Sequence, residues 1–546
     1  SARGHFPRLW GGLAGGGVLL TASLSGVVQE GQRAFWLLHF VWRCAIKLSG
    51  VMAVVFCHQR KGERAGGGVL RLSAMCSQQA LPADRFATSL VEGLLISSEA
   101  PGTHMRKQIP MLTENLRREN QILWLLTIIG LTIRIAAIFA LDDYREPLTA
   151  EYGVVARNLV AGKGFVGGGW LGPEGPTALN VPIYPLFLAT WLWLKIPLPF
   201  LGVELSQAFL SALLIYLWGK IALRFYDSPV SLLTGLFIAF YPPLIYFCKQ
   251  ISPAIFTTFF TAIAFYVLLL LFFKPTWGRA ILFGLTWGVS LLVEPILLLA
   301  IPGIMLIGWM WWYKGHRTIV PKMIIGTAIC IFVVLPWTIR NYIVFHRLVI
   351  LKTSFGLNLW MGNNPNATGF LYTASGEPMQ NTLSKSMLEY LSSLNEAERY
   401  AVLGQKAWEW IKSNPDKFLY LTLKRIGYLW LISPTYLITK QNINEPIYFY
   451  EARYVIQLLL LMLAIIGSIF AYQQNRVFVL MCAWCLIAFT IPYAVSVAGN
   501  TRYRLPAEPM LIVLAAVLFR KILGRVEKHK IMFPRTGLCG LFYPKL

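Results

Sequence analysis

Charge is what this 546-residue chain has least of: 14% of it is Asp, Glu, Lys or Arg, and only 25 residues are acidic. A soluble globular chain carries about 25% charged residues. With 56% hydrophobic residues, it lacks the polar helix faces that a soluble core of this length requires. A soluble globular protein is therefore excluded in favour of an integral membrane protein. Soluble-nucleotide signatures are also missing. No G-x-x-x-x-G-K-[ST] occurs, and no G-x-G-x-x-G lies on a strand-to-helix turn, which argues against a cytosolic nucleotide donor or ATP drive. The eight cysteines form neither a metal-ligand nor a disulfide framework. Cys482 and Cys485 make a C-x-x-C, but inside an apolar run, where a buried thiol is inert. No internal hydropathy repeat of the transporter kind is found either.

What is present is basic charge and apolar length. The 49 Lys and Arg residues give a net charge of +24. They sit mostly between apolar segments, as they do in cytoplasmic loops. Anionic lipid headgroups are the expected partner of this charge, and nucleic acid is not.

Residues 1–104 differ from the rest: they are Gly-rich and lack a sustained period. They read as a non-native or poorly ordered N-terminal extension, with a signal or extra helix as the competing reading. From Met105, apolar runs of about 20 residues and the Lys/Arg bias of the loops predict about ten spans with both ends cytoplasmic. The expected fold is all-α and polytopic. An N-terminal membrane module covers 105–338, with its first outer loop at 141–200. An extracytoplasmic segment and interfacial helix cover 339–452. C-terminal membrane helices follow over 453–525 and a cytoplasmic tail over 526–546.

This topology gathers four polar clusters on the outward face. The first loop holds Asp142, Asp143, Glu146 and Glu151. Lys249 and Gln250 follow the third span, and Glu294 stands at a turn with Pro295. Arg502, Arg504 and Glu508 precede the last span. Charge at membrane depth is costly and defaults to a functional role. Carboxylates beside basic groups at a lipid boundary suit an enzyme using a lipid-linked phosphate donor. A carboxylate takes the proton of an incoming hydroxyl, while Arg and Lys hold the departing phosphate. Arg134, near the outer end of the first span, either snorkels to the interface or contacts that phosphate. No residue set fixes a cofactor; no metal-ligand spacing is seen, and a divalent metal remains compatible with the carboxylates.

Several stretches together resemble a known family. They are EYGVVARNLVAGKGF from Glu151, GPTA from Gly175, PIYP from Pro182, Tyr241-Pro242-Pro243, PWTIRNY from Pro336, FGLNLWMGNN from Phe355 and RYRLP from Arg502. The pattern, over about Met105 to Arg525, is similar to polytopic glycosyltransferases of the GT-C class. The likeness is in particular to bacterial glycosyltransferase family 39, related to protein O-mannosyltransferases and aminoarabinose transferases. The resemblance implies transfer of a sugar, usually with inversion, from a polyprenyl-phosphate donor. The acceptor would be a lipid, glycan or protein on the outward face of a bacterial inner membrane. It implies a carboxylate base in the first outer loop, where an Asp-Glu pair is common; here those positions read Leu148-Thr149. Glu151 is then the first candidate base, followed by Asp143 and Asp142. Donor-phosphate candidates are Lys249, Arg502, Arg504 and Arg134. Substrate-binding candidates are Tyr152, Arg157, Glu294 and Asn363. Lys249 stands where relatives often have an acid, and Glu294 where many have a base. The rival readings are a lipid-linked sugar transporter or flippase, and a degenerate, non-catalytic relative.

Overall fold

The computed structural model describes residues 103–141, 144–168, 171–312, 318–431, 447–497 and 501–532. The expected N-terminal extension up to residue 102, the candidate bases Asp142 and Asp143, and the tail from 533 lie outside the described residues. The chain divides into two compact units, 1–113 and 114–546. Of the first, only the opening of one helix is described, and all that follows concerns the second.

Long apolar runs become helices because a backbone in hydrocarbon must satisfy its own hydrogen bonds. The first is α1 (Thr103–Leu141). Next come α2 (Ala150–Val160), a hairpin of β1 (Val166–Gly167) and β2 (Gly175–Pro176), and α3 (Ile183–Trp193). The membrane-type helices continue with α4 (Pro199–Phe225), α5 (Ser228–Ala239), the short α6 (Pro242–Tyr246), α7 (Ala254–Phe273), α8 (Trp277–Val293), α9 (Leu297–Trp312) and α10 (Ile319–Phe345). A polar stretch then carries α11 (Ser354–Gly362), α12 (Lys385–Ser393), α13 (Glu396–Ser413) and α14 (Pro415–Trp430). The chain closes with α15 (Ile447–Gln474), α16 (Arg476–Val495) and α17 (Glu508–Met532). Strands are confined, among the described residues, to the antiparallel β1–β2 pair, with Val166 opposite Pro176.

Six of these helices are long and apolar enough to cross a membrane: Arg117–Leu141, Pro199–Phe225, Ala254–Phe273, Ile319–Phe345, Ala452–Gln474 and Arg476–Val495. Four shorter apolar helices, α3, α5, α8 and most of α9, accompany them. The chain is an all-helical integral membrane protein. The apolar run over 228–247 is not one continuous helix: α5 stops at Ala239 and α6 begins at Pro242. Pro242 and Pro243 lack the N–H groups that would continue the ladder. The stretch expected to be interfacial around 417–433 is α14, an amphipathic helix. Leu421, Arg425 and Leu429 are buried, and Leu419, Tyr420 and Leu423 are exposed.

The bundle is threaded by neighbour contacts from α10 to α8, α7, α4, α5, α17 and α15, with α9 against α16. Small residues permit the closest crossings. A Cβ on Gly467 of α15 would collide with the Leu514 carbonyl of α17. At one end of the bundle, Ser231 donates to Glu119 at 2.9 Å, Lys220 to Asn120 at 2.9 Å, and Arg520 to Asp227 at 2.9 Å.

The polar stretch folds around its own apolar cluster, including Leu357, Trp360, Met379, Tyr400 and Leu403. A buried carboxylate fastens it to the loop between α2 and α3. Glu396, in the first turn of α13, accepts from the Thr177 hydroxyl at 2.6 Å, the Ala178 amide at 2.8 Å and the Thr353 hydroxyl at 2.6 Å. A helix N-terminus favours an anion at that position. Beside it, Arg340 donates to the carbonyls of Thr177 at 2.8 Å and Phe165 at 3.0 Å. Its guanidinium also lies over the rings of Phe165, Trp337 and Phe345. The GPTA and PWTIRNY stretches thus meet at one junction.

Candidate active site

At the end of the bundle away from Asp227 and Arg520, five separate stretches converge on a half-open cleft. It is lined by Tyr152, Pro253, Ala254, Thr257, Glu294, Ile296, Tyr493, Arg502, Tyr503 and Pro506, and leaves about 20 Å³ open to a water-sized occupant. Each stretch ends a regular element near the cleft. Tyr152 is in the first turn of α2, and Pro253 and Ala254 begin α7. Glu294 caps α8, where Pro295 prevents continuation. Tyr493 follows Pro492 near the end of α16, and Arg502 and Tyr503 form a short 3-10 turn before α17.

Polar capacity is left open here. The Arg502 Nη2 donates to the Tyr503 hydroxyl at 2.9 Å, its one hydrogen bond among the described residues. A guanidinium carries five N–H donors, so most of its fork is uncommitted. Burial works against the Arg502 cation, but Tyr503, Tyr152 and Glu151 outweigh it and hold the guanidinium above its ordinary range. The Tyr152 phenol is pushed well above its usual range by burial, with Arg502 pulling it down and Glu151 and Glu294 adding to the rise. Glu151 is therefore within electrostatic reach of both Tyr152 and Arg502. Its side chain is half-buried, and it makes no hydrogen bond or ion pair among the described residues. The preceding Ala150 has φ of 45°, a left-handed conformation that costs a residue with a Cβ about 1–2 kcal/mol. Helix α2 thus begins with local strain directly before Glu151.

Three residues singled out from the sequence line this cleft together: Tyr152, Glu294 and Arg502. Glu151 stands beside them. The others lie elsewhere. Arg134 is fully buried in the bundle, donating to Ser211 Oγ at 2.8 Å and to the carbonyls of Gly130, Ala239 and Ile238 at 2.9–3.1 Å. Arg504, also buried, binds Glu508 at 2.9 Å and the Leu429 carbonyl at 3.0 Å. Asn363 accepts from Arg425 at 2.8 Å and donates to the carbonyls of Leu359 and Val495. Lys249 lies 5.3 Å from the Tyr246 ring centre. Arg157 is exposed on α2, with Nη1 3.4 Å from the Thr149 hydroxyl. Sequence reasoning missed Tyr493, Tyr503 and Thr257 in the lining. It also missed Lys352, which donates to Glu294 at 2.6 Å. The one available signal for such a partner was the isolated carboxylate at Glu294, which called for a cation without naming it.

A second, apolar groove adjoins the cleft. It is lined by Phe187, Trp191, Leu205, Phe209, Leu210, Phe256 and Phe260, with Gly202 and Ser206. Aromatic contacts link the two. Tyr152 packs edge-on against Tyr184 at 5.3 Å, Tyr184 against Phe256 at 5.4 Å, and Phe256 lies 4.6 Å from Phe187. The first turns of α7 serve both spaces, since Ala254 and Thr257 face the cleft while Phe256 and Phe260 face the groove.

No family model matches the sequence, and no curated protein matches it. Among solved structures, the chain is similar to the archaeal oligosaccharyltransferase AglB from Archaeoglobus fulgidus, in complex with an inhibitory peptide and a dolichol-phosphate. That likeness has 13% identity and a TM-score of 0.42, covering 77% of this chain and 52% of that one. The Archaeoglobus fulgidus oligosaccharyltransferase tethered with an acceptor peptide containing the NVT sequon gives 12% identity and a TM-score of 0.46, covering 76% and 51%. ArnT from Cupriavidus metallidurans bound to undecaprenyl phosphate gives 14% identity and a TM-score of 0.33, covering 75% and 81%. The chain spans about half the length of the archaeal enzyme.

Proposed function

We propose that this protein is a membrane glycosyltransferase that moves a sugar from a polyprenyl-phosphate carrier to an acceptor hydroxyl. The observation that carries this reading is the adjacency of a cleft, holding a carboxylate and a guanidinium with one hydrogen bond among the described residues, to an apolar aromatic groove. An amphiphile with a charged head and a long hydrocarbon chain is the ligand such a pair accommodates. The sequence resemblance described above agrees with it.

In the proposed reaction Arg502 holds the donor phosphate, since a guanidinium fork matches phosphate oxygens in a bidentate way. Glu151 takes the proton of the acceptor hydroxyl as its oxygen attacks the anomeric carbon. The bond from that carbon to the phosphate oxygen breaks. The phosphate leaves with the electron pair, stabilised by the fixed cation. Attack opposite the leaving group inverts the anomeric centre. The loop positions of Asp142 and Asp143 make them the alternative bases. The Lys/Arg bias of the loops supports a cleft facing away from the cytoplasm, in a bacterial inner membrane. The acceptor would be a lipid, glycan or protein bearing a hydroxyl.

The test is reconstitution of the full chain with radiolabelled mannosyl-, glucosyl- and arabinosyl-phosphopolyprenol, comparing the wild type with Glu151→Gln and Arg502→Ala. Transfer by the wild type that both substitutions abolish is expected. Movement of the labelled lipid across the bilayer without transfer would make the protein a flippase instead. Absence of both activities would point to a non-catalytic relative.

A further inference from the structure

The ion pair between Glu294 and Lys352 is a charged feature of the cleft that the proposed chemistry does not use, and it is well held. Glu294 ends α8 in an extended conformation, its amide donating to the Ser290 carbonyl at 3.0 Å. Its Oε1 accepts from Lys352 Nζ at 2.6 Å, and the two side chains are 19% and 17% exposed. Lys352 lies in the short connection between α10 and α11, and its neighbours on both sides are anchored. The Trp337 indole donates to the Leu351 carbonyl at 2.8 Å. Thr353 donates through its amide to the Ala178 carbonyl at 3.0 Å and through its hydroxyl to Glu396 at 2.6 Å. A flexible lysine stem is thereby delivered from a fixed backbone, so forming the pair orders the side chain without also having to order the chain that carries it.

Two consequences follow from this geometry. An unpaired carboxylate beside the phosphate of a donor would repel it, and the ammonium cancels that repulsion while leaving the guanidinium of Arg502 to the phosphate. Second, Lys352 occupies only Oε1. An ionised carboxylate has about four lone-pair sites on two oxygens, so Oε2 retains acceptor capacity in a cleft that Tyr152, Tyr493 and Tyr503 also line. Carboxylate oxygens beside aromatic rings suit the alternating hydroxyl edges and C–H faces of a sugar ring.

The geometry points to Glu294 as the residue that recognises the sugar of the lipid-linked donor by accepting from its ring hydroxyls, with Lys352 as its positioning residue. This assignment rests on the transferase reading and names what that reading leaves open, the group that distinguishes a sugar-bearing lipid from the bare carrier.

The experiment measures equilibrium binding to purified full-length protein in nanodiscs. The probes are bare polyprenyl phosphate and the mannosyl-, glucosyl- and arabinosyl-phosphopolyprenols. The wild type is expected to bind at least one sugar-bearing lipid about tenfold tighter than the bare phosphate, the size of a hydrogen bond to a charged group. Glu294→Gln should remove that preference without weakening affinity for the bare lipid, whereas Lys352→Met should remove it and weaken the bare lipid too, because Glu294 is then left unpaired beside the phosphate. Lys352→Arg, which keeps the cation, should restore most of it. A merely structural role would make Glu294→Gln lower both affinities together, and Lys352→Arg would then restore no preference. A preference that survives in both Glu294→Gln and Lys352→Met overturns the assignment, as does a wild type with no preference for any of the three sugars. A wild type that binds none of the four lipids overturns the transferase reading itself.

Discussion

Two polar clusters in this molecule have similar ingredients and opposite designs. At the junction of the α2–α3 loop with the polar stretch, Glu396 and Arg340 sit among Thr177, Thr353 and aromatic rings. Both carboxylate oxygens of Glu396 are engaged by donors at 2.6–2.8 Å. Arg340 is spent on backbone carbonyls and the Asn341 side chain. In the cleft, Arg502 has one hydrogen bond among the described residues and Glu294 is held through a single oxygen, while Glu151 beside it has no hydrogen bond among the described residues. A buried polar group without a partner costs about 1–3 kcal/mol. The junction avoids that cost by engaging both oxygens of its buried carboxylate, and so acts as architecture. The cleft keeps its groups partly open to solvent and uncommitted, the condition under which they can exchange water for a substrate. Charge alone does not separate the two; completeness of hydrogen bonding does.

The sharpest way to break this contrast is to remove the proposed base. Glu151→Gln should lower transfer about a thousandfold, within the range of general-base catalysis, with thermal unfolding in detergent unchanged. An activity within a few-fold of wild type would return the role to Asp142 or Asp143. Next in size, Arg502→Ala should cost about a hundredfold in turnover, as loss of one transition-state donor does. Polyprenyl phosphate binding should weaken alongside it. Glu396→Ala should have the reverse signature. The folded state should lose about 2 kcal/mol, because two hydroxyls and an amide lose their acceptor, seen as a lower unfolding temperature with turnover per folded molecule retained. A catalytic loss without destabilisation would merge the two clusters into one site. The smallest effect tests how tightly the junction's loop is laid down. A Cβ on Gly172 would meet the Arg399 guanidinium, itself bonded to the carbonyls of Leu391 and Leu394. Gly172→Ala should therefore destabilise by about 1 kcal/mol through overpacking, measured as a small shift in unfolding temperature.

Particular residues show how far the sequence could be read. The turn at Glu294-Pro295 and the start of α2 at Glu151 were legible because proline and helix termini are local signals. The amphipathic character of α14 was legible because Lys424 and Arg425 interrupt its apolar pattern. The fate of individual charges was not legible. Arg502 and Arg504 are two residues apart in RYRLP, yet one enters the cleft and the other turns into the bundle to meet Glu508 and Leu429. The 3-10 turns that separate them alternate their faces over a distance too short for any periodicity to register. Arg134 looked like a membrane-edge cation and is instead a fully buried fastener between α1, α4 and the end of α5. Lys352 carried no motif at all, and its role depends on Glu294, which is remote in sequence.

By itself, then, the sequence determined the medium and the helical character of the chain. Apolar runs with few charges cannot remain in water, and in hydrocarbon they must close their own backbone hydrogen bonds as helices. Only the tertiary structure decided which of the scarce charged side chains were to be satisfied and which left open. That outcome depends on partners brought together from distant segments, such as Lys352 with Glu294 and Glu396 with Thr177. A carboxylate in the chain reads the same whether three donors or none await it in the fold.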